Sequence, residues 1–188
     1  MSYCIFVAQL PKDKSNAHKS YHDERYGFPV SDDNELFGRL ILEINQAGLS
    51  WSTILNKEEN FLRAYDNFDI DTVAAYTDAD RERLLNDAGI IRNRLKINAA
   101  IHNAQVVQQL QKEHGSFKAW IELNHPRSKE EWVKLFRKTF KFTGGEIVGE
   151  FLMSTGYLAG AHDEGCPVFK KALKAGASWK QKGKQNGK

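Results

Sequence analysis

The feature that most restricts this chain is its punctuation: residues that start and stop helices recur along it, while alternating apolar and polar runs between turn signals are nearly absent. The expected class is therefore all-α. Ser31-Asp32-Asp33 supplies an N-cap and Gly48 a C′ glycine, so a helix is expected between them, and a second one after Ser50. Thr77-Asp78-Ala79-Asp80 opens another, which stops at Asp87-Ala88-Gly89. A long helix is expected from about Asn93 to Lys112, with Leu95, Ile97, Ala100, Ile101, Ala104 and Val107 as its apolar positions. Ser128-Lys129-Glu130-Glu131 has the spacing of a capping box ahead of Trp132, Leu135 and Phe136. A last apolar helix is expected from about Glu146 to Tyr157, and a loop or short helix before Tyr21.

Composition narrows the class further. With 188 residues, 41% of them hydrophobic, the chain can bury a core of its own and fits one domain better than two. No repeat period or internal linker interrupts residues 1 to 169, which are expected to form the domain. The apolar runs are too short to cross a bilayer and MSYCIFVAQL is not built as an export signal, so neither a membrane nor secretion is expected and the setting is taken as cytoplasmic. In that setting Cys4 and Cys166 are better suited to a metal or to burial than to a disulfide. The formal charge of +3 is uneven, because residues 170 to 188 carry Lys and no acid. That tail is expected to be disordered, either solubilising the chain or loosely attracting a polyanion, and the body bears a net negative charge. Binding of a nucleic acid by the body would need a local basic surface.

One such surface is suggested by Asp87-Ala88-Gly89-Ile90-Ile91-Arg92-Asn93-Arg94, a short connection between two helical patterns. The amides at a helix start carry partial positive charge and can receive a DNA phosphate, with Arg92, Arg94 and Lys96 adding contacts that position without reading sequence. The same residues describe an ordinary turn with a C-cap glycine and solvated basic side chains, and local sequence alone favours that. A second candidate is Glu43. On a helical wheel it falls about 20° from Leu36, at the border of the apolar face. A carboxylate there either bends into water or is desolvated, in which case a cationic ligand would compensate it. Trp51, Tyr21 and Tyr26 are close in sequence and would supply π faces for a flat cation.

Together these residues resemble the DNA-3-methyladenine glycosylase I family, the zinc-containing branch of the helix-hairpin-helix glycosylases. The resemblance spans nearly everything from Cys4 to Cys166 and rests on Tyr21-His22-Asp23-Glu24, Leu42-Glu43, Gln46-Ala47-Gly48-Leu49-Ser50-Trp51, Asp87-Ala88-Gly89-Ile90-Ile91-Arg92, Phe140-Lys141-Phe142 and the late His162 with Cys166. It implies that Glu43 contacts the methylated adenine and that Tyr21 and Trp51 form aromatic parts of the pocket, with Phe6 and Tyr26 standing where the family often has Trp. It also implies that Gly89, with Ile90, Arg92 and Arg94 around it, lies in a DNA-binding hairpin. Ile44 and Leu95 stand where the family often has Gly, and the segment between Lys12 and Ser20 is lengthened. An isoleucine beside Glu43 would narrow or dry the pocket.

The resemblance further implies one zinc held by Cys4, His22, His162 and Cys166. Four protein ligands leave no position for an activated water, so the ion would staple the termini rather than catalyse. His18, His102, His114 and His125 are expected at the surface. The implied activity is hydrolysis of the glycosidic bond of 3-methyladenine in double-stranded alkylated DNA, releasing the free base without strand cleavage, by a chain acting as a monomer. The family lacks the catalytic aspartate of other helix-hairpin-helix glycosylases, which makes Glu43 a recognition and electrostatic residue first. Phe6, Tyr26 and Ile44 keep open the competing reading of a zinc-stabilised DNA-binding module without catalysis; a zinc hydrolase is disfavoured by the absence of an open ligand position.

Overall fold

The computed structural model describes residues 2–11 and 16–180, and among these the regular structure is all helical. The helices are α1 (Tyr3–Ala8), α2 (Ala17–Glu24), α3 (Asp33–Gln46), α4 (Trp51–Ala64), α5 (Ile70–Ala74), α6 (Asp78–Asn86), α7 (Arg94–His114), α8 (Phe117–Asn124), α9 (Lys129–Thr139), α10 (Gly145–Ser154) and α11 (Pro167–Lys174). Tight turns at Asp66–Phe68 and Ser178–Lys180 complete the order. Among the described residues no helix is long and apolar enough to cross a membrane.

Most of the expected helix starts have a local cause, while α10 starts without a side-chain cap and ends at Ser154, short of Tyr157. Asp32 accepts from the Glu35 amide at the start of α3, and Gly48 follows its end at φ +83°, a conformation that only glycine adopts without strain. Ser50 accepts from the Thr53 amide to open α4. Reciprocal capping boxes start α6 at Thr77 and α9 at Ser128. The Asn93 side chain accepts from the amides of Leu95 and Lys96 to open α7. Helices α5, α8 and α11 are additions to the sequence reading; α5 and α8 are short and span one or two turns of apolar pattern, too little to show a period.

Helix α3 is the axis of the molecule, because it packs on α4, α7, α8 and α10. Leu36, Phe37, Leu40, Ile41 and Ile44 along it are fully buried. The Asp33 carboxylate ties its start to its neighbours, accepting from the Phe117 and Lys118 amides at 2.7 and 3.0 Å and from the Gln111 side chain at 2.8 Å. Gly38 lets α3 approach the Asp66–Phe68 turn, since a Cβ there would fall 2.5 Å from the Phe68 ring. In the run Phe140-Lys141-Phe142, the Lys141 backbone exchanges two hydrogen bonds with the Asn103 side chain of α7, at 2.8 and 3.1 Å.

The end of the domain lies later than the sequence suggested. Lys170, Lys171 and Lys174 belong to α11, whose Val168 and Ala172 are buried, and Ala177 beyond it is buried too. The helix is amphipathic, so its lysines are the solvent face of a docked element rather than the start of a tail. Residues 181–188, the remainder of the expected disordered tail, lie outside the described residues, as do residues 12–15 of the lengthened segment.

Candidate functional site

Early and late segments of the described chain meet beside α2. Cys4 of α1, His22 of α2, and His162 and Cys166 of the segment between α10 and α11 bring four donor atoms within 4.8 Å of one another. Cys4 Sγ lies 3.3 Å from His22 Nε2 and 3.6 Å from His162 Nδ1, and Cys166 Sγ lies 3.8 Å from His22 Nε2. Metal–sulfur and metal–nitrogen bonds of about 2.3 and 2.05 Å at tetrahedral angles give a sulfur-to-nitrogen edge of about 3.6 Å, so the set fits a four-coordinate ion. Its surroundings fit as well. His22 Nδ1 meets Asp23 at 2.8 Å and His162 Nε2 meets the Tyr26 carbonyl at 2.7 Å, which fixes each ring with its other nitrogen toward the cluster. The Asp163 amide points at Cys4 Sγ from 3.4 Å. Neither cysteine is in a disulfide.

The His162 bond to Tyr26 anchors the segment after α2, and Tyr26 in turn faces a cavity of about 330 Å³ bounded by α1, α2, α3, α4 and α10. Tyr3, Tyr21, Tyr26, Trp51, Glu43 and Glu150 dominate its walls. The Tyr21 and Trp51 rings stand 5.1 Å apart, Tyr21 and Tyr26 5.6 Å, and Tyr3 and Tyr26 5.3 Å. Behind Tyr21 lie two guanidinium groups, Arg39 at 5.3 Å and Arg25 at 5.5 Å from the ring centre. Arg39 is itself buried and reaches only Glu35, at 3.0 Å, while Arg25 is held bidentately by Glu58.

Glu43 is 4% exposed, which settles the alternative of a rim residue bending into water. Burial, then the neighbouring Glu150, push its carboxyl up to about 8 against the opposing pull of Arg39. Burial thus favours the protonated acid at Glu43. The indole Nε1 of Trp51 is buried without a hydrogen-bond partner. A cavity walled by tilted and edge-on rings, with an indole N–H and a buried carboxyl, is suited to a flat, electron-poor, nitrogen-rich ligand.

Of the residues singled out in the sequence, Tyr21, Tyr26, Glu43 and Trp51 are thus brought together. Phe6 is not: it is 36% exposed and stacks at 6.1 Å on Tyr3, so Tyr3 is the ring that α1 turns toward the cavity. Ile44 points into the fully buried core, not into the cavity beside Glu43, so it cannot narrow that pocket. His18 is no plain surface residue, for its ring bridges the Tyr3 hydroxyl at 3.0 Å and Ser52 at 2.7 Å. Glu150 and Tyr3 went unnoticed in the sequence. The only signal for Glu150 was an acid interrupting the apolar stripe of α10.

The connection between α6 and α7 is the second candidate surface. Ile90 is buried and anchors it, and the Gly89 carbonyl accepts from Lys57 at 3.0 Å and Asn60 at 3.2 Å. Gly89 fits because a Cβ would sit 2.9 Å from the Asp87 carboxylate and 3.2 Å from Asn60. Its amide is held by Asp87 at 2.7 Å. Arg92 and Arg94 are exposed, the latter reaching Glu82 at 3.2 Å. Lys96 does not join them. It is buried, and its ammonium donates to the carbonyls of Asn45 and Ala47 at 2.9 and 2.8 Å, capping the end of the helix that carries Glu43.

The fold is all-helical around an aromatic cavity that also holds two acids, and sequence comparison makes the class specific. The sequence pattern of the methyladenine glycosylases matches residues 12–135, and the chain belongs to that family. It is 35% identical to DNA-3-methyladenine glycosylase 1 of Escherichia coli (strain K12), covering 90% of this chain and 97% of that protein. Among solved structures it resembles 3-methyladenine DNA glycosylase I from Staphylococcus aureus, studied for 3-methyladenine recognition, with a TM-score of 0.72, 31% identity and coverage of 83% and 93% of the two chains. A 3-methyladenine DNA glycosylase I variant in complex with 3-methyladenine gives a TM-score of 0.77 at 29% identity, covering 89% of this chain and 97% of that one.

Proposed function

We propose that this chain is a monofunctional DNA glycosylase that hydrolyses the glycosidic bond of 3-methyladenine in alkylated double-stranded DNA, leaving an abasic site. The observation that carries the reading is the buried Glu43 carboxyl facing a cavity walled by Tyr21 and Trp51. Methylation at N3 gives the adenine a positive charge, so the base is already a good leaving group. The protein has to draw the nucleotide out of the stack, at a cost of a few kcal/mol, and hold its base. Tyr21 and Trp51 stack on the cationic ring, while Tyr26 closes its edge. Glu43, whose burial favours the protonated acid, ionises when the cation supplies the compensation and accepts a hydrogen bond from the exocyclic amine.

The segment of Gly89, Ile90, Arg92 and Arg94 between α6 and α7 acts as a helix-hairpin-helix, docking phosphate without reading sequence. Cys4, His22, His162 and Cys166 hold one structural zinc, a metal suited to a Cys₂His₂ donor set, which fixes α1 against α2 and, through the His162 bond to the Tyr26 carbonyl, the wall of the base cavity. The chain works as a cytoplasmic monomer, and Phe6 supports the pocket from outside by backing Tyr3.

The test is release of base from methylated duplex DNA with the product identified by mass. Glu43→Gln should lower release by about 10- to 100-fold, the loss of a hydrogen bond to a charged group. Parental release by that variant rejects the role of Glu43, and no release by the parent rejects the function. Metal analysis should find close to one zinc per chain, and a metal-free protein that keeps its fold and activity removes the zinc.

A further inference from the structure

Two cavities, not one, meet at the carboxylates. Beside the aromatic cavity lies a second of about 530 Å³, bounded by the Ala47–Leu49 turn after α3 and by Gly144–Ile147 at the start of α10. Glu43, Gln46 and Glu150 line both. Of the two acids Glu43 is almost wholly buried and Glu150 only partly so, which places Glu150 nearer the surface. A base seated among Tyr3, Tyr21, Tyr26 and Trp51 would direct its sugar toward the second cavity, whose wall Glu150 shares. The Tyr26 hydroxyl donates to Glu150 Oε2 at 3.1 Å, orienting the carboxylate and leaving Oε1 for another partner.

We propose that Glu150 is a catalytic residue for base excision, its carboxylate set against the sugar of the extruded nucleotide to stabilise the cation formed at C1′ and to take a proton from the attacking water. This rests on the reading of the chain as a 3-methyladenine glycosylase. The C1′–N9 bond breaks and its electron pair goes to the base, which leaves as neutral 3-methyladenine. The sugar is then an oxocarbenium ion. Water adds to C1′ from the side of Glu150, the carboxylate accepts the water's proton, and the abasic sugar remains with a hydroxyl at C1′. No oxidant, reductant or metal enters the balance. The surroundings suit a proton acceptor: burial raises the Glu150 carboxyl above the ordinary glutamate range, against the Tyr26 hydrogen bond. The charged and titratable groups facing it are Tyr26 after α2, Glu43 on α3, Lys129 on α9 and Glu146 on its own helix.

Glu150→Gln is the probe, because the amide oxygen can still accept from Tyr26. Single-turnover release of 3-methyladenine from methylated duplex is followed against pH, with calorimetric binding of free 3-methyladenine as the check on the pocket. The expected result is a rate lower by about 10²-fold, with the fall toward acid pH flattened and base affinity kept within about threefold. A variant rate within about threefold of the parent at every pH overturns the proposal. So does a loss of base affinity as large as the loss of rate, which would make Glu150 a recognition residue. A parent that releases no base overturns the functional reading, and this inference with it.

Discussion

The molecule contains two aromatic clusters, and they are put to opposite uses. Phe117, Trp120, Trp132, Phe136, Phe140 and Phe151 interlock across α8, α9 and α10, with Phe136 within 5.2 to 6.0 Å of four other rings and fully buried. Tyr3, Tyr21, Tyr26 and Trp51 approach one another as closely, at 5.1 to 5.6 Å for the nearest pairs, yet enclose about 330 Å³ and two carboxyl groups. Ring spacing does not separate them. Chemistry does: the first is phenylalanine and tryptophan packed on each other, and the second is mostly tyrosine, backed by Arg25 and Arg39 and facing Glu43 and Glu150. A filled cluster stabilises by burial, whereas an unfilled one keeps surfaces and charges waiting for a guest.

Phe136 is the hub of the filled cluster. Phe136→Ala should cost about 3–5 kcal/mol in urea unfolding, because a ring of four neighbours cannot collapse into the space. Base affinity of the folded variant should be unchanged; a mild cost would mean that this cluster too is loosely packed.

Glu43 is the converse, a residue that costs stability. Its carboxyl titrates near 8 in the folded chain and at an ordinary 4.5 when unfolded, so the native state holds a proton that the unfolded state gives up between those values. Rising pH therefore destabilises the protein through this residue across pH 4.5 to 8, and the contribution is constant above and below that window. Glu43→Gln, which cannot ionise, should gain on the parent by about 4 kcal/mol between pH 4.5 and pH 8. A stability gap that is flat with pH would show that Glu43 is not buried as a neutral acid.

The filled cluster and the helices that carry it were largely legible in the sequence, because caps and periodic apolar residues act locally: Asp32, Ser50, Thr77, Asn93 and Ser128 each sit at a helix start. Most of the open cluster was legible too. Glu43 could be placed at the edge of an apolar face by helical spacing alone, and Tyr21, Tyr26 and Trp51 by closeness in sequence and by resemblance. What the chain did not disclose is which side of a short helix turns inward. Helix α1 has six residues, too few for a face to show, so Phe6 stood in for Tyr3. Glu150 and Lys96 were hidden for a different reason: a charged residue reads as solvent-facing unless its partner, here Tyr26 or the end of α3, is known. The same blindness hid α11, where a run of lysines masked the buried face.

A smaller effect sharpens the contrast from the side of the guest. Trp51→Ala removes a wall of the open cluster whose indole nitrogen has no partner to lose, so folding should be affected less than by Phe136→Ala. The loss should fall on binding, weakening calorimetric affinity for free 3-methyladenine by about 1–3 kcal/mol. Unchanged affinity takes Trp51 out of the pocket.

The smallest effect concerns how an open cluster stays open. A cavity among apolar helices tends to collapse unless its walls are pinned from outside, and the Glu43 wall is pinned by Lys96, whose ammonium joins α7 to the last carbonyls of α3. The arrangement suits the negative end of a helix dipole, and it links the α6–α7 connection to the cavity through one side chain. Lys96→Met keeps the length of the stem and removes the two hydrogen bonds together with the cost of burying the charge, so the net loss of stability should be only about 1 kcal/mol. The Ala47–Leu49 turn should nonetheless loosen, because Ala47 loses its tether just where α3 ends. Hydrogen exchange resolves the two consequences: faster exchange at Leu49 and the first turn of α4, with the amides around Phe136 unchanged, is the expected pattern. Exchange that rises equally in both clusters would mean that Lys96 supports the whole helical body and that the open cavity has no separate support of its own.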